Sequence, residues 1–266
     1  MALIQVNFVS NTLRRTVPLQ VILPVDRLTP DGKTPAPRKF KTLYLLHGIF
    51  GNYTDWVSGT RIQRWAEKRN LAVVMPSGDN AFYIDQPALR NNFGEFIGRE
   101  LVEITRNMFP LSDKREDTFI GGLSMGGYGA MRNGLKYYET FGAIISLSGA
   151  LHFMDMPEME YRKTDPVDRA FMDATFGGLP EAAKTDMNPR LLIEELAKKK
   201  TADPALQLPK IYISCGTEDA LLPSNRLYRE RLLDSGFDVT YEEGPGGHDW
   251  DFWDTYILKA INWLEL

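Results

Sequence analysis

The chain has 266 residues, 43% hydrophobic and 25% charged, which fits a single domain over 1–266 able to bury a large core. A formal charge of −4 without a long basic run argues against a nucleic-acid partner. No stretch approaches the roughly 18 apolar residues that a membrane span needs. The single cysteine, Cys215, excludes an intramolecular disulfide and fits a reducing compartment. Met1 to Val6 lacks the basic start and apolar run of a signal peptide, so a cytoplasmic location is the expectation.

In chain order, Leu3 to Val9 and Thr16 to Leu23 read as an antiparallel pair joined through Asn11 and Thr12. Pro18 points to an edge position or a bulge in the second strand. Residues 24–39, rich in Pro, Asp and Gly, read as a surface loop. Leu43 to Leu46 is a short continuous apolar run, as a buried parallel strand requires. Thr60 and Gln63 form a capping-box pattern before a helix that presents Ile62, Trp65 and Ala66 on one face. Leu71 to Met75 is the next buried strand, stopped by Pro76. Phe93, Phe96, Ile97, Leu101, Ile104 and Met108 recur at helical spacing until Pro110. Thr118 to Gly122 forms a strand, Tyr128 to Tyr137 a helix, and Gly142 to Leu147 another strand.

Residues 149–208 break this alternation, with a helix expected around Leu191 to Lys198; an insertion there reads as a small cap over a cleft. A strand over Lys210 to Cys215, a helix from Ser224 to Leu233 and a last strand over Val239 to Glu242 resume it. The closing helix carries Trp253, Tyr256, Ile257, Ala260, Ile261 and Leu264 on one stripe. The pattern predicts an α/β protein with a mostly parallel sheet and helices on both faces.

Gly122-Leu123-Ser124-Met125-Gly126 lies between an apolar strand and a helix of small residues. A serine in that context sits on a strained turn that excludes bulky neighbours two residues away and pushes the hydroxyl out of the sheet. The Met125 N–H, at the start of the helix, can then stabilise an oxyanion. Ser124 is therefore the expected nucleophile, and it needs a base. Of the three histidines, His47 ends the first buried parallel strand, where a backbone oxyanion donor is expected instead, and His152 opens the cap. His248 follows the last strand in a glycine-rich loop, the place for the base in the order Ser, acid, His.

The acid should leave the strand ending at Cys215, where Glu218 and Asp219 both qualify by type. Asp219 is preferred, because a tight turn after Gly216 brings the shorter side chain toward the histidine loop and leaves Glu218 exposed. Asp249 is expected to cap the final helix, and Cys215 to be a small core residue. No spacing of His, Cys and carboxylates suggests a metal, and no cofactor is implied. Phe50, Trp56 and Tyr83 lie on loops at the carboxyl ends of strands, where they are candidates to bind substrate. Met154, Met156 and Met159 in the cap are candidates to line an acyl pocket.

His47-Gly48-Ile49-Phe50-Gly51-Asn52, Gly122-Leu123-Ser124-Met125-Gly126-Gly127, Gly216-Thr217-Glu218-Asp219 and Gly247-His248-Asp249-Trp250 together resemble the esterase D superfamily. Within it, the chain is most similar to the tributyrin esterase and feruloyl or acetyl-xylan esterase branch, including Pro76-Ser77-Gly78 and Tyr83-Ile84-Asp85. The resemblance implies an α/β-hydrolase fold, a Ser124–His248–Asp219 triad and an oxyanion hole of the Ile49 and Met125 amides. It implies hydrolysis of small to medium acyl or aryl esters, including feruloyl or acetyl esters of plant polysaccharide fragments. The partner is then a small-molecule ester, with no nucleic acid or membrane; a homo-oligomer is compatible with it. S-formylglutathione hydrolases of the same superfamily carry a Thr-Cys pair after the oxyanion-loop glycine, where this sequence has Phe50-Gly51. A thioesterase of that type, or a hydrolase fold kept for binding alone, are the rival readings.

Overall fold

The computed structural model describes residues 1–26, 32, 38–155 and 167–266. Its strands are β1 (Ala2–Ser10), β2 (Arg15–Leu23), β3 (Thr42–Leu46), β4 (Ala72–Pro76), β5 (Asp85–Gln86), β6 (Asn91–Asn92), β7 (Thr118–Leu123), β8 (Ala143–Leu147), β9 (Lys210–Gly216) and β10 (Val239–Gly244). Its helices are α1 (Asp55–Gly59), α2 (Ile62–Arg69), α3 (Phe93–Glu95), α4 (Leu101–Met108), α5 (Met125–Lys136), α6 (Arg169–Phe176), α7 (Leu179–Ala182), α8 (Pro189–Ala202), α9 (Leu222–Asp234) and α10 (Trp250–Trp263).

Eight strands form one sheet in the order β1-β2-β4-β3-β7-β8-β9-β10, while β5 and β6 pair separately. The β1–β2 and β2–β4 pairs are antiparallel and the rest of the large sheet is parallel. Buried strands of a parallel sheet must be apolar on both faces. In β3 and β4, Leu43, Leu45, Val73 and Met75 join one core, whereas Tyr44, Leu46, Ala72 and Val74 join the other. Trp56, α2 and α10 complete the first core; α4, α5, α8 and α9 contribute to the second. The chain runs outward from β3 to β4 and returns to β7 on the other side of β3. The loops leaving β3 and β7 therefore diverge, opening a crevice at their carboxyl ends.

Several local expectations are corrected. β2 lies inside the sheet, between β1 and β4, so Pro18 marks no edge strand. Pro18 is accommodated because it lies one residue outside the β2–β4 ladder, which spans Leu19 to Ile22. At the start of α2 the N-cap residue is Arg61, without a side-chain cap. Thr60 Oγ1 instead accepts from the Ile62 amide and donates to the Trp56 carbonyl, joining α1 to α2. The helical pattern from Phe93 to Met108 is realised as α3, a π turn over Phe96–Glu100, and α4. Within that turn, Glu100 accepts hydrogen bonds from Ser10 Oγ and from the Asn11 and Thr12 amides, so the bulge anchors the β1–β2 turn.

Residues 149–208 contain α6, α7 and α8. Leu192, Ile193 and Leu196 of α8 are buried in the core, so this helix is part of the layer covering the sheet. The preceding segment is tied down by charge. Arg132 of α5, 1% exposed, bonds the Asp186 carboxylate at 2.8 Å, Lys136 reaches it at 2.7 Å, and Asp85 lies 3.6 Å from Arg132. Burial raises the Asp186 pKa, but the two cations outweigh it and the carboxyl is held below its ordinary value.

Asp186→Ala is expected to cost about 2 kcal/mol, because it strips a buried guanidinium of its nearest carboxylate while Asp85 remains. The loss is read as a lower urea midpoint at unchanged m-value. Since the folded pKa is depressed, the wild-type advantage should be complete above about pH 5 and fade as pH falls through that folded value, below about 3.9.

Candidate active site

Ser124 sits between the last residue of β7 and the first of α5, with φ 53° and ψ −117°. That conformation costs an L-residue roughly 1–3 kcal/mol and persists only where the surroundings over-determine it. Here they do: the Ser124 amide donates to Leu147 O at 2.9 Å, and the Ser124 carbonyl accepts from Tyr128 N and Ala150 N, both at 3.0 Å. The turn also needs glycine at its shoulders. A Cβ on Gly126 would stand 2.4 Å from Leu46 O, and one on Gly122 would stand 2.4 Å from Gly126 O. Met125 is the first helical residue, so its N–H has no partner within the helix and lies at the positive end of the dipole. The Met125 side chain itself is buried in the core.

His248 reaches this turn from the loop after β10. Its Nε2 lies 2.9 Å from Ser124 Oγ and its Nδ1 lies 2.8 Å from Asp219 Oδ2. An ionised Asp219 only accepts, so Nδ1 carries the proton and the Nε2 lone pair faces the serine hydroxyl. Asp219 is buried and its second oxygen accepts from the Leu221 amide at 2.9 Å. Burial raises its pKa, but the His248 hydrogen bond and charge and the Leu221 amide more than offset this, leaving it lowered. Glu218 is turned away: its Oε2 accepts from the Gly246 amide at 2.5 Å and braces the histidine loop. Asp249 caps α10 by accepting from Phe252 N at 3.0 Å.

Opposite Ser124 runs the loop after β3. A Cβ on Gly48 would meet Leu123 Cδ1 at 2.7 Å and Ser124 Cβ at 3.6 Å, so Gly48 passes directly beside the serine. His47 is buried; its Nδ1 lies 2.6 Å from Gly48 O and its Nε2 accepts from Gly78 N at 2.9 Å. Burial lowers its pKa, and a neutral imidazole protonated at Nδ1 satisfies both contacts. The ring is therefore a strut between two loops.

A family model described as "Putative esterase" matches residues 10–264. The chain belongs to this esterase family. It is 45% identical over 270 residues to an acetyl esterase of Caldicellulosiruptor saccharolyticus, covering 100% of this chain and 98% of that protein. It is also similar to the solved structure of an S-formylglutathione hydrolase from Staphylococcus aureus, with TM-score 0.83, 31% identity and coverage of 99% and 98%. A ferulic acid esterase structure at 20% identity, with TM-score 0.77 and coverage of 99% and 97%, shares the fold. The protein is thus an α/β-hydrolase-fold esterase. Among the described residues, no helix is long and apolar enough to cross a membrane.

The esterase brings Ser124, His248 and Asp219 into one hydrogen-bonded line, with Gly48 of the β3 loop beside the serine and Met125 following it. Of the three aromatic side chains expected at the substrate, two are buried inside the protein. Trp56 is 1% exposed, with its Nε1 donating to Leu46 O at 3.0 Å and its ring against Trp250. Tyr83 is 0% exposed and its hydroxyl donates to His47 O at 3.0 Å. Both are scaffolding for the β3 loop, because each indole or phenol finds its polar partner inside the protein. Phe50 alone is presented to solvent, 66% exposed at φ 67°, its amide bonded to Asn80 Oδ1 at 2.7 Å.

Met154 is likewise buried in the core, while Met156 and Met159 lie outside the described residues. Two residues beside the triad escape sequence reasoning. Ser148 holds a left-handed backbone (φ 46°) that nothing in its type announces, and Trp253 reads only as one more residue of an apolar stripe.

Proposed function

We propose that this esterase hydrolyses esters of short acyl groups, acetyl esters foremost, through a Ser124 acyl-enzyme. The observation that carries the reading is the unbroken line from Ser124 Oγ through His248 to Asp219, at 2.9 and 2.8 Å. His248 Nε2 takes the hydroxyl proton as Oγ attacks the ester carbonyl. The oxyanion that forms is met by the Ile49 and Met125 amides, each such donor being worth about 3 kcal/mol. The imidazolium then gives its proton to the departing alcohol. Water, deprotonated by the same nitrogen, attacks the acyl carbon and releases the acid with Ser124 restored.

The acetyl esterase relative, matched over 98% of its length, favours a short acyl group. Acetyl groups on plant polysaccharide fragments fit this chemistry. A second reading, hydrolysis of the S-formylglutathione thioester, is favoured by the similarity to the staphylococcal enzyme, and it too involves a small acyl group.

The test is a panel of nitrophenyl acetate, nitrophenyl octanoate, methyl ferulate, acetylated xylan and S-formylglutathione. The expected result is a kcat/KM for nitrophenyl acetate more than about tenfold above the octanoate and ferulate esters, the scale on which a pocket separates substrates by size. Methyl ferulate turned over as well as the acetate would overturn the short-acyl reading, and a dominant thioester rate would select the second.

A further inference from the structure

We infer that Trp253, backed by Trp250 and Trp56, is a positioning residue that fixes the His248 imidazole and couples it to the strand end bearing the oxyanion loop. The inference rests on the proposed triad and concerns what holds it. His248 is carried on a loop with Gly246 at φ 132° and Gly247 before it, and its side chain is 38% exposed. Hydrogen bonds to Ser124 and Asp219 fix the two nitrogens, but they leave rotation about that line to be controlled by packing.

Trp253 supplies the packing. Its ring lies 4.9 Å from the imidazole, centroid to centroid, at 87°. Trp253 meets Trp250 at 5.2 Å and 89°, and Trp250 meets Trp56 at 5.6 Å and 87°. Edge-to-face geometry of this kind is the arrangement aromatic quadrupoles favour. The stack is anchored at both ends. Trp56 Nε1 donates to Leu46 O, at the end of β3, immediately before the His47-Gly48-Ile49 segment. Trp253 Nε1 donates at 3.2 Å to Ser148 Oγ, whose own amide bonds Ser214 O at 2.7 Å, beside the strand that leads to Asp219. In the middle, a Cβ on Gly59 would stand 2.4 Å from Trp250 Cδ2, so that indole lies directly on the backbone of α1. Three tryptophans, with Ser148 linking the last of them to the acid strand, thereby join the base, the acid strand and the oxyanion strand.

The experiment compares Trp253→Leu, Trp253→Phe and Trp250→Phe with the wild type on nitrophenyl acetate, with circular dichroism and urea unfolding for each. Loss of ring contact should lower kcat of Trp253→Leu about 100-fold with KM within about twofold, as for a misplaced catalytic group. Trp253→Phe, which keeps an aromatic face but loses the Ser148 bond, should recover at least about tenfold of that loss. A second readout is independent of turnover. Removing the imidazole against its ring in His248→Gln should change Trp253 emission, a change absent when the same substitution is made on Trp253→Phe.

A folded Trp253→Leu with kcat within twofold of the wild type overturns the inference, as does a His248→Gln emission change that persists on Trp253→Phe. If Trp253→Leu does not fold, Trp253→Phe and the emission change decide. Failure of the triad reading looks different: Ser124→Ala would then retain wild-type turnover, whatever the tryptophan variants do.

Discussion

Asp219→Asn is expected to lower kcat on nitrophenyl acetate by about 10⁴-fold while leaving the fold intact. The amide is the same size, but it is uncharged and it can present a donor to Nδ1, where the carboxylate can only accept. The imidazole then favours the tautomer with its proton on Nε2, facing Ser124 Oγ with the wrong end. No neighbouring carboxylate can stand in. Glu218 is committed to the Gly246 amide, and Asp249 uses its two oxygens on Phe252 N and Gly247 N. Steady-state kinetics on protein with an unchanged thermal midpoint makes the check. Near-normal turnover would move the acid role to Glu218 or Asp249.

The larger effect belongs to Ser124→Ala, for which a loss of about 10⁶-fold in kcat is expected, together with loss of labelling by a fluorophosphonate probe. Alanine keeps the Cβ, so the strained φ of 53° is retained and the change isolates the hydroxyl. Ser124→Gly removes the hydroxyl and the strain together. It should be as inactive as the alanine variant but more stable than it by about 1 kcal/mol, measured by urea unfolding. Equal stability of the two would mean that the elbow stores no strain.

The parts of the fold written in local patterns were legible in the sequence. The continuous apolar runs of β3, β4, β7 and β8 announce buried parallel strands, and the 3.6-residue stripe from Trp253 to Leu264 announces α10. Ser124 stands out because a strand precedes it and a helix follows, and His248 because position leaves few alternatives. What was not legible depends on partners far along the chain. Trp56 and Tyr83 sit at the loop positions where a ligand-facing aromatic would sit; that they point inward is decided by Trp250, Leu46 O and His47 O. Pro18 reads as an edge marker only until the extent of the β2–β4 ladder is known.

The carboxyl-terminal half of the sheet also sets the order of assembly. Ser124, Asp219 and His248 follow β7, β9 and β10, and β8 separates the first two of these strands. No pair among the three meets through local contacts, since parallel neighbours are joined only by long crossovers. Helices can form early, but the triad exists only once β10 has docked on β9, the kind of non-local pairing that slows folding. Return of ester turnover after denaturation is therefore expected to report the docking of the last strand, with the enzyme's own reaction as the clock.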